Sequence, residues 1–148
     1  MSLIERNLIE MELNRYPQTD FISDISQIEF EWSDVAIVSD KHDISISFDT
    51  DEFKKDNYNT DKLKELILTV SQNVSRLDNF TQEYSQNLGG SRLDAIIGSI
   101  YLKSPELITF DYWCTDVNST FDVNFSYENG KFSLVKYGMK ELSPIVVD

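Results

Sequence analysis

The chain has 148 residues and a mass of 17.2 kDa, the length of one ordinary domain. Its 41% hydrophobic and 12% aromatic content can build a core without disulfides or metal. Twenty-six acidic against thirteen basic residues give a net charge of −13, which argues against direct binding of nucleic acid or an anionic membrane through a basic patch.

In chain order, the first element reads as a short helix. Ser2 and Glu5 have capping-box spacing, Ile4, Leu8 and Met11 share a face, and Pro17 forces an end near Arg15. Glu5, Arg6, Glu10 and Glu12 interrupt the apolar stretch a signal peptide would need, and no run approaches the roughly 18 residues that span a bilayer. A soluble, cytoplasmic protein is therefore expected. From Ile28 the period becomes two: Ile28, Phe30 and Trp32 alternate with Glu29, Glu31 and Ser33, and the run continues through Val38 as one strand with a wet face. After a polar turn at residues 39–42, Ile44, Ile46 and Phe48 alternate with Ser45, Ser47 and Asp49, completing a hairpin.

Residues 49–59 are polar and aperiodic and read as the longest loop. A long helix follows, capped by Thr60, with Leu63, Leu66, Ile67, Val70, Val74, Leu77, Tyr84 and Leu88 at helical spacing up to Gly89-Gly90, a helix stop. Unbroken, it would be about 40 Å long, so a break into two helices near Asp78-Asn79 is also considered. The last third is β in character, with strands at residues 95–102, 107–114, 121–127 and 132–137. Asn129-Gly130 suits a two-residue turn with positive φ at both positions, which sets Glu128 opposite Lys131, Tyr127 opposite Phe132 and Phe125 opposite Leu134. The expected fold is α+β: a single domain over residues 1–148, an antiparallel sheet with the N-terminal helix and the long helix, or helix pair, on one face.

No residue pattern names a reaction. His42 and Cys114 are each the sole member of their class. His42 reads as a solvated turn residue, Cys114 as a strand residue on the face of Ile108, Phe110 and Tyr112, and together they cannot build a structural zinc site. Asp49-Thr50-Asp51-Glu52 begins like a calcium loop, but Lys54 stands where the glycine belongs and Thr60 where the bidentate Glu belongs. Phosphate-binding, dinucleotide and hydrolase motifs are absent from the sequence. No enzyme activity, cofactor or metal is expected.

The acid is unevenly placed. Residues 10–52 carry twelve Asp and Glu against Arg15 and Lys41, and residues 106–128 carry five acids and no base. Such clusters either keep a protein dispersed or steer a basic partner. Alternation places Glu29 and Glu31 outward together, with Asp34 nearby. Trp113 falls on the polar phase of its strand beside Asp111, and tryptophan is enriched at interface hot spots. The expected partner-binding residues are Glu29, Glu31, Asp34, Asp111 and Trp113.

The Trp-containing acidic strand EFEWSDVAIV, the strand DISISFD, the helix end LDNFTQEYSQNL and the meander ITFDYW…TFDVNFSYENGKF together resemble small bacterial families of unknown function, some similar to immunity proteins of toxin systems. The resemblance spans about residues 28–138 and carries over no functional residue. It implies a non-enzymatic interaction protein that neutralises a basic toxin domain. The alternative is a small-ligand-binding or weakly hydrolytic α+β domain, and pairing between copies through an edge strand is a third reading.

Overall fold

A computed structural model describes residues 14–31, 34–55 and 58–148. The helix expected at the N-terminus, like Trp32, falls outside the described residues. Among the described residues eight strands form one sheet whose spatial order is the chain order: β1 (Phe30–Glu31), β2 (Val35–Ser39), β3 (Ile44–Phe48), β4 (Ile96–Ser104), β5 (Leu107–Cys114), β6 (Ser119–Glu128), β7 (Lys131–Tyr137) and β8 (Lys140–Val146). Every neighbouring pair is antiparallel except β3 and β4. Parallel neighbours need a crossover, and the helices α1 (Thr50–Lys55), α2 (Thr60–Ser71) and α3 (Val74–Gly89) supply it. The fold is α+β.

Several expectations need correction. Residues 28–38 are not one strand but two, because the chain reverses between Glu31 and Val35 and pairs Phe30 with Ala36. The stretch 49–59 is not all loop. Asp49 Oδ1 accepts from the Asp51 N–H at 2.9 Å and starts α1, which buries Phe53 against Phe48 and Tyr58. Asn59, not Thr60, caps α2, its side chain accepting from the Lys62 N–H. The helix break falls at Gln72-Asn73 and not at Asp78-Asn79, since Gln72 and Asn73 fold back onto Leu68 and Val70 carbonyls. Leu88 is 53% exposed, not core. Strand β8 has no counterpart in the expected order. Its Pro144 breaks the strand pattern, yet proline is tolerated on an edge, where a missing N–H also blunts pairing with a further strand.

The Asn129-Gly130 turn is as expected: both residues have positive φ (54° and 77°), and Glu128–Lys131, Tyr127–Phe132 and Phe125–Leu134 face each other. Gly90 likewise ends α3 in the left-handed region.

The core lies between the helices and one sheet face. Leu63, Leu66, Ile67 and Val70 of α2 and Val74 and Leu77 of α3 join Ala36, Ile46, Ile100, Phe110, Phe125 and Leu134 in one buried cluster. Each fully buried side chain of this size contributes roughly 1.5–3 kcal/mol. The segment before β1 straps helices to sheet: Gln18 reaches the Ser71 carbonyl, the Ile22 N–H donates to the Val38 carbonyl, and Asp20 meets His42. Among the described residues no helix is long and apolar enough to cross a membrane.

Candidate functional site

Because side chains alternate along a strand, the residues between the core positions point to the face that no helix covers among the described residues. The pairing traces one row across the whole sheet there: Glu31, Val35, Ser47, Tyr101, Thr109, Asn124, Lys136 and Glu141 are successive cross-strand neighbours. Beside it runs Ser99–Asp111–Asp122, and beyond that Ile96–Trp113–Thr120. Trp113 is therefore on the uncovered face and half-buried, not under the long helix.

Asp111 and Asp122 sit directly opposite each other on β5 and β6, an arrangement that destabilises a sheet when both are charged. Asp111 Oδ1 is shut off from water and has no hydrogen-bond partner among the described residues. Burial, and then the charge and hydrogen bonding of Asp122, hold the Asp111 pKa above the usual carboxyl value. A second acid pair lies at the strand ends. Asp94 precedes β4, Asp116 lies in the β5–β6 turn, and hydrogen bonding to Asp94 followed by its charge raises the Asp116 pKa.

The remaining expected residues lie toward the other end. Glu29 and Glu31 are exposed and line a cleft of about 620 Å³ with Ile37 and Lys41. Asp34 joins Asp49 and Asp51 in a cleft of about 490 Å³ that also includes Ser47 and Tyr101. Four inter-strand spacings, about 19 Å, separate β1 from β5, so Glu31 and Asp111 share a face without touching. Asp34 stands at the strand ends between them. Lys136 brings positive charge into the row, opposite Asn124 and Glu141.

His42 is not the solvated turn residue expected. Its Nε2 lies 2.9 Å from Asp20 Oδ2, and its ring meets Tyr16 edge-on and stacks on Phe21. That hydrogen bond is the largest cause of the lowered Asp20 pKa, with Lys41 adding to it. Cys114 is half-buried next to the core and lacks a disulfide partner. Among the described residues no three His, Cys, Asp or Glu side chains are grouped as metal ligands.

A polar network under α3 was not anticipated. Asp78, Thr81, Gln82 and Ser85 are all buried, and their 3–4 residue spacing puts them on the helix face turned to the sheet. Asp78 accepts from Arg15 Nε and Nη2, both at 3.0 Å, and from the Tyr112 hydroxyl at 2.7 Å. Burial opposes the Arg15 charge, but the hydrogen bonds and charge of Asp78 more than offset it, and the guanidinium pKa stands above its ordinary value. Burial first, and then Asp78, drive the Tyr112 pKa well up, keeping it a hydroxyl donor. Tyr16 accepts from the Ile97 N–H at 2.9 Å, next to the irregularity between Ile97 and Ser99.

No protein-family model, curated protein or solved structure matches the chain.

Proposed function

We propose that the protein is a non-enzymatic interaction domain whose uncovered sheet face docks a basic protein. The observation that carries this reading is the Asp111–Asp122 pair: two carboxyls set opposite each other on that face, one with a water-excluded oxygen and a raised pKa, beside a half-buried Trp113. A cation placed between them relieves their repulsion, which makes the arrangement less favourable alone than in a complex. The Asp34, Asp49 and Asp51 cleft extends the negative surface, with Tyr101 between the two acidic groups. The narrower reading, an immunity protein covering a basic toxin domain, rests on the resemblance of element order and strand pattern and fits a partner of this charge.

The test is an NMR titration of the labelled protein with a ten-lysine peptide. Docking on this face gives shifts concentrated at the Trp113 indole and along Tyr101, Thr109 and Asn124, and an affinity that falls steeply with salt. Asp111→Asn/Asp122→Asn weakens it. Shifts centred on α2 and α3, or affinity unchanged in the double variant, reject the reading.

A further inference from the structure

Exposed apolar side chains normally scatter singly over a surface, but at one end of the uncovered face they gather around Trp113. Ile96, 50% exposed, is its cross-strand neighbour on β4, and Thr120 its neighbour on β6. Thr120 in turn walls a cleft of about 280 Å³ with Met139, which is 95% exposed in the turn between β7 and β8. Val117, 70% exposed, lies in the turn that joins the strands of Trp113 and Thr120. Tryptophan and methionine are enriched where proteins touch, and a contiguous apolar row marks such a surface where a single exposed residue does not.

Acid flanks this row on both sides. Two residues away along β5 and β6 lies the Asp111–Asp122 pair. At the strand ends, Asp94 stands two residues before Ile96 and hydrogen-bonds Asp116 in the β5–β6 turn. Rows two residues apart on one face are separated by about 6.6 Å along the strands, and an extended peptide repeats its side chains at the same interval. A segment running with the strands therefore sets an apolar residue over the Ile96–Trp113 row and basic residues, two positions to either side, over the two acid pairs. The cleft beside Thr120 suits the apolar member, since Asp122 and Lys136 both wall it and their opposite charges leave no net pull on a cation. A second copy of this chain fits badly, because it brings acid against acid on top of the net charge of −13 that each chain carries.

We propose that the Ile96–Trp113–Met139 end of the uncovered face docks an extended segment of a partner protein in which an apolar residue stands between two basic residues at alternate positions. This rests on the reading of the chain as a docking domain for a basic protein, and adds which segment of that protein is held: the apolar residue anchors it, and the acid pairs set its register.

The test uses the full chain and three peptides: Lys-Ser-Leu-Ser-Lys in tandem, an isomer of the same composition with both leucines at one end, and the ten-lysine peptide. Binding is followed by the methyl resonances of Ile96 and Met139. The alternating peptide shifts both and binds at least tenfold more tightly than its isomer. Ile96→Thr/Met139→Ser, which keeps a β-branched residue in the strand, stays folded, as retained ten-lysine binding shows, and loses that preference. An isomer that binds as tightly as the alternating peptide, or a double variant that keeps the preference, overturns the proposal, while ten-lysine binding to the face leaves the basic-partner reading standing. Binding of the alternating peptide that is unchanged by salt and by Asp111→Asn/Asp122→Asn overturns both. Concentration-dependent sedimentation of the wild type that Ile96→Thr/Met139→Ser abolishes assigns the patch to a second copy and overturns the proposal as well.

Discussion

Replacing Asp78 by Ala removes the acceptor of three hydrogen bonds at once: two from Arg15 and one from Tyr112. Breaking a buried ion pair on one side costs roughly 3–5 kcal/mol. The Arg15 side chain is 28% exposed and can turn part of its charge to water, which places its share near the lower limit, about 3 kcal/mol. The Tyr112 hydroxyl has no such exit, because the residue is fully buried, and an orphaned buried hydroxyl adds about 1 kcal/mol or more. A loss of about 4 kcal/mol follows. At roughly 2–4 °C per kcal/mol for a chain of this size, that lowers the Tm by about 8–16 °C. Urea denaturation followed by circular dichroism measures it directly. Tyr112→Phe keeps the ion pair and removes one hydrogen bond to a charged acceptor, about 1.5–3 kcal/mol. Arg15→Met combined with Asp78→Leu removes both charges and recovers most of the loss, because no buried charge is left alone. An Asp78→Ala cost below about 1 kcal/mol, or a double variant as unstable as the sum of its single changes, would show that the network is not held as described.

Stability should depend on pH with opposing contributions. Asp111 and Asp116 have raised pKa values, so they stabilise the fold while protonated and lose that contribution as pH rises from the ordinary value of 3.8 through their folded values. Asp20 and Asp24 have lowered values, and their contribution is present above 3.8 and lost as pH falls through their folded values. The urea midpoint therefore peaks on the acid side of neutral, and Asp111→Asn flattens its decline toward neutral pH; a midpoint that rises steadily up to pH 7 contradicts this. Gly138→Ala should be more harmful than Gly130→Ala. Both glycines have positive φ, which costs about 1–2 kcal/mol with a side chain, but a Cβ at Gly138 would also lie 2.6 Å from Phe121 Cε2, whereas Gly130 faces open space. Equal midpoints for the two variants would refute the clash. His42→Ala should lower stability by about 1 kcal/mol through the lost Asp20 hydrogen bond and ring contacts without weakening binding of the ten-lysine peptide, and a selective loss of binding would place His42 in the docking surface.

What the sequence disclosed follows the range of the forces involved. The Asn129-Gly130 turn was legible because positive φ is a property of the dipeptide itself, and the apolar positions of α2 because burial repeats at the helical period. Strand β8 was not, since Pro144 argues against a strand until the position is known to be an edge. The polar spacing at Asp78, Thr81, Gln82 and Ser85 was visible, but such a stripe normally marks the solvent side of a helix. What turns it inward is Arg15, 63 residues away, and Tyr112, 34 residues away. Pairings of that separation leave no local pattern. Similarly, alternation put Asp111 and Trp113 on one strand face, but only the β5–β6 register sets Asp122 opposite Asp111.

A cation is the proposed partner of the Asp111–Asp122 pair on the docking face. Docking a positive side chain between them lowers the raised Asp111 pKa and so releases protons. Calorimetric titration of the ten-lysine peptide at about pH 5, slightly above the ordinary carboxyl range, in two buffers of different ionisation heat, reads this directly. Heats that differ between buffers for the wild type in the sense of proton release, and that converge in Asp111→Asn/Asp122→Asn, are the predicted result. Identical heats in both buffers for the wild type would contradict it.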